Sequence, residues 1–313
     1  MKIIVTGALG HIGSSLIRTL PEKFPNCNLV LIDSLITQRY ASLFNLPSDG
    51  KFTFYPEDVR DFDLDSILNK GDVVINLSAI TDAAGSFDNP ELLEKNNYNC
   101  TETIAKACLK NNCKLITISS TSVYGSTKNI VDELASGDDL NPQSPYATTK
   151  LLEEELIKKM SQDHGLEAVT LRFGTIYGCS TGMRFHTAVN KFCWQAVLGI
   201  PLTVWETAYD QKRPYLNLND ALEALNFFIY NNLFDGEIYN VLTGNHSVRD
   251  VIDTIKIYIP SLKVNFVKNE IMNQLSYEVS VNKLLKKGFI FSGDLDSGIE
   301  ETISLLKASN NSF

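Results

Sequence analysis

Three glycines near the amino terminus limit what this chain can become. Gly7, Gly10 and Gly13 stand between the apolar run Lys2 to Thr6 and a helical pattern from Ser14 to Leu20. The run has the β-rich, uninterrupted character of a strand buried on both faces of a parallel sheet. Strand, glycine turn and helix in that order bring backbone N–H groups and the positive end of a helix to one point, where a pyrophosphate can be held. The spacing is Gly-x-x-Gly-x-x-Gly rather than the commoner Gly-x-Gly-x-x-Gly, so the turn taken alone serves equally well as plain structure. A second strand, Asn28 to Ile32, ends in Asp33 with Ser34 beside it. A carboxylate there is placed to accept hydrogen bonds from ribose hydroxyls and would repel a 2′-phosphate, which favours NAD over NADP. Arg39, six residues beyond, is poorly placed to read a phosphate.

The same rhythm continues. Phe52 to Tyr55 reads as a third strand and is followed by Asp58-Val59. Asp72 to Leu77 is a fourth, followed by Ser78-Ala79. Leu92 through Leu109 is helical, and Lys114 to Ile118 is a fifth strand that runs into Ser119-Ser120-Thr121-Ser122-Val123-Tyr124-Gly125. Strands alternating with helices mean βαβ units and a doubly wound parallel sheet, an α/β fold whose ligands sit beyond the carboxyl ends of the strands. The glycine turn, Asp33, Asp58, Ser78 and Ser120 all fall at such ends. A sixth strand, Ala168 to Phe173, precedes a break at Gly174. A Rossmann-type unit over residues 1–175 and a smaller α/β substrate-binding unit over 176–313 are therefore expected. In the second, helices are read over Thr187 to Leu198, from Ala221 and over Val248 to Ile259. Strands are read over Leu202 to Trp205 and Ile238 to Leu242, and the tail from Leu284 is read as a strand and a helix.

Composition narrows the function. A formal net charge of −9 over 313 residues, without a basic run, argues against nucleic acid. The six cysteines, Cys27, Cys100, Cys108, Cys113, Cys179 and Cys193, show no metal or redox spacing and fit free thiols in a reducing cytoplasm. His164, His186 and His246 show no metal spacing either. The opening apolar run is too short for a signal peptide and no stretch approaches a membrane span.

Chemistry enters at Ser144-Pro-Tyr-Ala-Thr-Thr-Lys150. Ser144 can cap a helix and Pro145 can take its first position. Tyr146 and Lys150 then share a face one turn apart. An ammonium beside a phenol favours phenolate and lowers a pKa that starts near ~10. Tyr-x-x-x-Lys also arises on ordinary surface helices, so the pair gains weight only from the nucleotide-binding pattern upstream.

Taken together, Thr-Gly-x-x-Gly-x-x-Gly, Ser-Ser-x-x-Val-Tyr-Gly and Ser-Pro-Tyr-x-x-x-Lys resemble the extended short-chain dehydrogenase/reductase family, and within it the nucleotide-sugar epimerases and dehydratases. The resemblance implies that Gly7, Gly10 and Gly13 cradle the pyrophosphate with backbone from His11 and Ile12. It implies that Asp33 binds the ribose, that Asp58 and Val59 border the adenine, and that Leu77, Ser78, Ala79, Asn97 and Phe173 flank the cofactor. Ser120, Tyr146 and Lys150 become the catalytic group, with Lys150 also on the nicotinamide ribose. Thr121, Thr175, Arg184, Arg213 and Tyr215 become the residues facing a nucleotide-diphosphate sugar. A homodimer is implied through the helices around Asn97 to Leu109 and Tyr146 to Met160.

The chain also departs from the family. Relatives that dehydrate or decarboxylate carry an acid just before Val-Tyr-Gly, where this chain has Thr121 and Ser122. Thr175 replaces a usual Asn, and Pro214 replaces the Asp of Arg-Asp-Tyr. Near Tyr277, Asn273-Gln-Leu-Ser lacks a usual Arg; Arg184 is the candidate substitute, against a plain surface charge. The leading reading is an NAD-dependent nucleotide-sugar epimerase acting at carbon 4 through a transient keto intermediate. A dehydrogenase or 4-keto reductase on a nucleotide-linked sugar, and a silent dinucleotide-binding protein, stand as alternatives.

Overall fold

A computed structural model of the chain describes residues 1–81, 85–125, 130–268 and 276–308. The first half runs β1 (Lys2–Thr6), α1 (His11–Lys23), β2 (Asn28–Ile32), β3 (Lys51–Tyr55), β4 (Val73–Asn76), α2 (Pro90–Asn111), β5 (Lys114–Ser120), β6 (Ile130–Val131) and α3 (Pro145–His164). It continues through β7 (Ala168–Phe173), β8 (Thr175–Tyr177), α4 (Ala188–Val197), β9 (Leu202–Trp205), β10 (Lys212–Asn217) and α5 (Leu218–Tyr230). The last part holds β11 (Ile238–Val241), β12 (Gly244–Ser247), α6 (Val248–Tyr258), β13 (Val264–Val267), β14 (Glu278–Val279), α7 (Asn282–Lys286) and α8 (Leu295–Ala308).

Seven parallel strands form the main sheet in the order β11-β7-β5-β4-β1-β2-β3. The order reverses between β1 and β4, so a crevice opens beyond their carboxyl ends. Alternate residues of each strand bury opposite faces. Ile3 and Val5 pack with Leu16, Ile17 and Leu20 of α1 and Leu225 of α5. Ile4 and Val74 pack with Ile104 and Cys108 of α2 and Ile157 of α3. Both faces are thus covered, as an all-parallel sheet requires.

Local chemistry sets where α3 begins and ends. The Ser144 hydroxyl accepts from the Ala147 N–H at 3.2 Å, Pro145 takes the first helical position, and Gly165 ends the helix in the left-handed region at φ 75°. The same logic starts α2, where Asn89 accepts from the Leu92 N–H ahead of Pro90.

A second core gathers Tyr177, Val189, Phe192, Leu202, Ile252 and Ile299 among α4, α6, α8 and the strands β8 and β9. Beside it lie the three-stranded sheet β12-β10-β8 and the pairs β13-β9 and β14-β6.

Two expectations need correction. A single cut at residue 175 does not isolate the large sheet, because β11 pairs in parallel with β7 and α5 packs on α1. The chain leaves for the smaller unit at β8 and returns. The tail strand expected after Leu284 is a short helix, α7, followed by irregular chain. There the Ser292 and Gly293 N–H groups donate to the Asp220 carboxylate at 2.9 and 3.0 Å, so a buried side chain has taken donors that a strand would have offered to a neighbour. All six cysteines are free thiols, and among the described residues no helix is long and apolar enough to cross a membrane.

Candidate active site

The glycine turn is shaped by contacts that leave no room for side chains. Gly7 sits at φ 65°, and a Cβ there would lie 2.6 Å from the Leu77 carbonyl oxygen. A Cβ on Gly13 would lie 2.6 Å from the carbonyls of both Gly7 and Ala8. The loop 77–79 therefore lies directly against the turn, held by the Ser78 N–H donating to Asn76 Oδ1 at 3.1 Å. The first turn of α1 has neither a side-chain cap nor an acidic residue, so its backbone N–H groups are left to an anion. Asp33 is half-buried at the end of β2 and receives the Leu9 N–H at 3.0 Å and the Leu35 N–H at 2.9 Å. The carboxylate is thereby fixed beside the glycine turn. These features fit a dinucleotide: an uncapped helix terminus for phosphate, glycines that let the backbone approach, and an acceptor for ribose hydroxyls.

A segment the sequence did not single out closes over this turn. His11 Nε2–H donates to the Gly178 carbonyl at 3.0 Å, the Gly182 N–H donates to Ser14 Oγ at 2.9 Å, and Arg39 Nη1 donates to the Gly182 carbonyl at 2.7 Å. A Cβ on Gly182 would lie 2.4 Å from the Leu9 carbonyl, so the strap approaches only because that residue is glycine. Burial, with Arg184, Arg39 and His186 nearby, lowers His11 to about 4. The imidazole is neutral near neutral pH, and its N–H serves the strap. Arg184, half-buried, donates to Thr81 Oγ1, and its charge reaches both His11 and Tyr146, so it faces the site rather than bulk water.

Ser120, Tyr146 and Lys150 come together where β5 ends and α3 begins. Lys150 Nζ lies 5.9 Å from the centre of the Tyr146 ring, and Ser120 is near enough to Tyr146 to favour its ionised form slightly. Ser120 Oγ accepts from the Ser122 N–H at 3.1 Å and the Ser122 hydroxyl at 2.9 Å, which orients its own proton. The expected lowering of the phenol needs correction. Burial pushes Tyr146 above its ordinary value, and Lys150 opposes this only in part while Glu153 adds to it. For Lys150, burial works against the charge, but Glu153, Tyr146 and Cys100 together more than offset it and the ammonium is held above its ordinary value.

The remaining residues divide. Asn97 is fully buried, with its amide donating to the Ile80 carbonyl at 3.0 Å and accepting the Ile80 N–H at 2.8 Å, so it shapes the loop after β4. Asp58 is gripped by Arg60 through Nε and Nη2 at 2.9 and 2.6 Å, which holds its carboxyl below the usual range; Val59 is buried in the core. Phe173, at the end of β7, is buried too. Thr121 turns its hydroxyl to the Phe173 carbonyl at 3.3 Å, while its own carbonyl accepts from the Tyr277 hydroxyl at 3.1 Å. Thr175 on β8 stands opposite Tyr215 on β10. Burial raises Tyr215 to about 12, and its ring lies 6.3 Å from that of His246. Arg213 donates to the Lys212 carbonyl at 3.0 Å and to Gln211 Oε1 at 2.9 Å, with its guanidinium 5.9 Å from the Tyr277 ring. The Asn273–Leu275 stretch lies outside the described residues.

Beneath this constellation lies a second group of charges that the sequence reading passed over. Arg172 of β7 donates to both oxygens of Glu154 on α3, through Nε at 2.8 Å and Nη2 at 2.6 Å, and through Nη1 to the Tyr124 hydroxyl at 2.8 Å. The Ser119 hydroxyl donates to the same carboxylate at 2.5 Å. The pair is almost wholly buried and ties α3 to the sheet, fixing the helix that carries Tyr146 and Lys150.

Comparison with known proteins agrees with this geometry. The model of the NAD dependent epimerase/dehydratase family matches residues 3–241. The uncharacterized UDP-glucose epimerase YtcB of Bacillus subtilis is 32% identical over 250 residues, covering 77% of this chain and 76% of that protein. The trifunctional UDP-glucose 4,6-dehydratase, epimerase and reductase RHM2 of Arabidopsis thaliana is 28% identical over 96% of this chain, which spans only 46% of that longer protein. Among solved structures, the UDP-glucuronic acid 4-epimerase of Bacillus cereus, in complex with UDP-glucuronic acid and NAD, superposes with a TM-score of 0.87. It is 28% identical and the match covers 99% of this chain and 100% of that one.

Proposed function

Because the chain belongs to the NAD dependent epimerase/dehydratase family, and NAD is its cofactor, we propose that it is a UDP-sugar epimerase acting at carbon 4, with Tyr146 as its acid–base group. The observation that carries this reading is the meeting of Tyr146 with Ser120 and Lys150 at the carboxyl end of β5, next to a turn built for a dinucleotide. NAD, held by the glycine turn and Asp33, would supply reversible hydride transfer at the sugar carbon. The Tyr146 oxygen takes the proton of the sugar hydroxyl and returns it after the sugar has turned over. Ser120 donates to the sugar oxygen and holds it toward Tyr146. Lys150 keeps an ammonium beside the phenol and offers its remaining protons to the nicotinamide ribose. The Gly182 strap, fastened to His11, Ser14 and Arg39, holds water away from the glycine turn.

Thr121 and Ser122 support epimerase over dehydratase, since neither hydroxyl can do the work of a carboxylic acid at a neighbouring carbon. Thr175, Arg184, Arg213 and Tyr215 are proposed to receive the UDP-sugar, and UDP rests on the similarity to YtcB and to the Bacillus cereus enzyme. The test is to incubate the NAD-loaded protein with UDP-glucose, UDP-glucuronic acid and UDP-N-acetylglucosamine and read the products by NMR. A carbon-4 epimer formed without added reductant supports the reading; turnover only with stoichiometric reductant replaces it with a keto reductase.

Two further expectations belong with this proposal. NAD should bind about tenfold or more tightly than NADP, because Asp33 repels a 2′-phosphate, and Asp33→Ser should narrow that gap in a fluorescence titration. Tighter binding of NADP by the unaltered protein contradicts it. Pairing of two copies through α2 and α3 follows from the family resemblance, and light scattering at micromolar concentration should return twice the 34.9 kDa chain mass.

A further inference from the structure

Glu153 is not used by the mechanism above, yet it touches the residue on which that mechanism depends. It lies one turn beyond Lys150 on α3, both side chains are about 5% exposed, and Glu153 Oε2 accepts from Lys150 Nζ at 3.0 Å. The same oxygen accepts from the Thr101 hydroxyl of α2 at 2.8 Å. Thr101 Oγ1 in turn accepts from Asn76 Nδ2 at 3.2 Å, and Asn76 Oδ1 accepts from the Thr6 hydroxyl at 3.0 Å. Every donor in this buried series, from β1 through β4 and α2, points toward Glu153, the arrangement that polarises a chain of hydrogen bonds to favour an anion at its end. The other oxygen, Glu153 Oε1, is buried and has no hydrogen-bond partner among the described residues. A carboxylate kept in the interior with one oxygen unsatisfied costs stability that a neutral side chain would not.

We propose that Glu153 is a positioning residue for the acid–base pair: its carboxylate anchors the Lys150 ammonium from the protein side and balances its charge, and so governs how readily Tyr146 gives up its proton. The inference rests on the reading of Tyr146 as acid–base group, though its test does not need turnover. Other charged or titratable groups around the cluster do not replace Glu153. Asp58 and Arg60, after β3, neutralise each other. Burial raises the Cys100 thiol of α2 to about 12, so it is uncharged near neutrality. Arg184 adds positive charge from the segment after β8. Glu153 is therefore the anion that counters Lys150, and it acts on Tyr146 in the direction opposite to Lys150 and Arg184.

The sign follows. Removing the carboxylate while keeping the shape, in Glu153→Gln, leaves the ammonium unbalanced and favours phenolate. The Tyr146 midpoint should fall by about one unit, at the lower end of what a nearby charge produces. In the NAD-loaded protein, tyrosinate absorbance is titrated with and without Tyr146→Phe, and the difference isolates Tyr146 from the other tyrosines. The rising limb of kcat against pH should move down by the same amount, with about tenfold more activity below the limb. An unmoved midpoint overturns the proposal. Should Glu153→Gln not fold, Glu153→Asp keeps the buried charge but withdraws it from Lys150 by one methylene; a smaller downward shift is expected and none is again contradictory. If Tyr146→Phe leaves turnover intact, the base reading fails while the absorbance titration still decides the role of Glu153. A Tyr146-dependent limb that ignores Glu153→Gln defeats this inference alone.

Discussion

Tyr146→Phe is expected to lower kcat by ~10²–10⁴-fold while leaving the fold and NAD affinity intact. The substitution keeps the ring, which is half-buried beside Lys150, and removes only the oxygen that exchanges a proton. Ser120→Ala should cost less, since it removes one orienting hydrogen bond worth ~1 kcal/mol, or more to a charged partner. Lys150→Met should damage both rate and cofactor binding, and it would also leave Glu153 buried without its cation. The base works deprotonated, so activity rises with pH. In the protein without cofactor, burial raises the phenol above its ordinary value, so its titration there is displaced to higher pH. The positive nicotinamide acts in the other direction. Titration of Tyr146 should accordingly move to lower pH when NAD is added, and a midpoint unaffected by NAD would contradict the proximity the mechanism requires.

The second large effect concerns stability. Arg172→Met is expected to destabilise the protein by ~3–5 kcal/mol, because it leaves Glu154 buried without its bidentate cation. The Tyr124 hydroxyl loses its donor in the same step. Replacing Glu154 by Leu together with Arg172→Met should recover much of the loss, since the cost lies in the orphaned charge rather than in the lost attraction. Denaturant midpoints of the three proteins measure this. A loss below ~1 kcal/mol for the single variant would show that the pair does not anchor α3.

Local patterns made the parallel sheet readable. Lys2–Thr6, Asn28–Ile32 and Ala168–Phe173 are β-rich runs, each ending at or just before a turn or glycine, and each became a strand with those bounds. Asp33 was legible as a strand-end carboxylate, and Tyr146 and Lys150 as a pair on one helix face, because both depend on a few adjacent residues. What escaped were partnerships made across the fold. Glu153 and Glu154 look like the solvated face of an amphipathic helix; their partners Thr101 and Arg172 lie on α2 and β7, and no spacing announces them. Arg172, a charge within an otherwise strand-like run, was the available signal. Gly182 resembled any loop glycine until the Leu9 carbonyl was found against it. The strand expected in the tail from Leu284 does not form, since Asp220 holds the backbone at Ser292 and Gly293. The return of β11 to the main sheet is likewise invisible to a reading that looks for one boundary.

The central claim, that a hydride leaves and returns to carbon 4 while Tyr146 handles only the hydroxyl proton, is tested most directly by running the conversion in deuterium oxide. Purified, NAD-loaded protein is incubated with a UDP-sugar substrate, and the recovered epimers are analysed by proton NMR. The account predicts that both epimers carry ordinary hydrogen at carbon 4, with no solvent deuterium on any ring carbon and no accumulation of NADH. Deuterium at carbon 3, 4 or 5 of the product would mean that a carbon–hydrogen bond is broken by proton abstraction, and would contradict it.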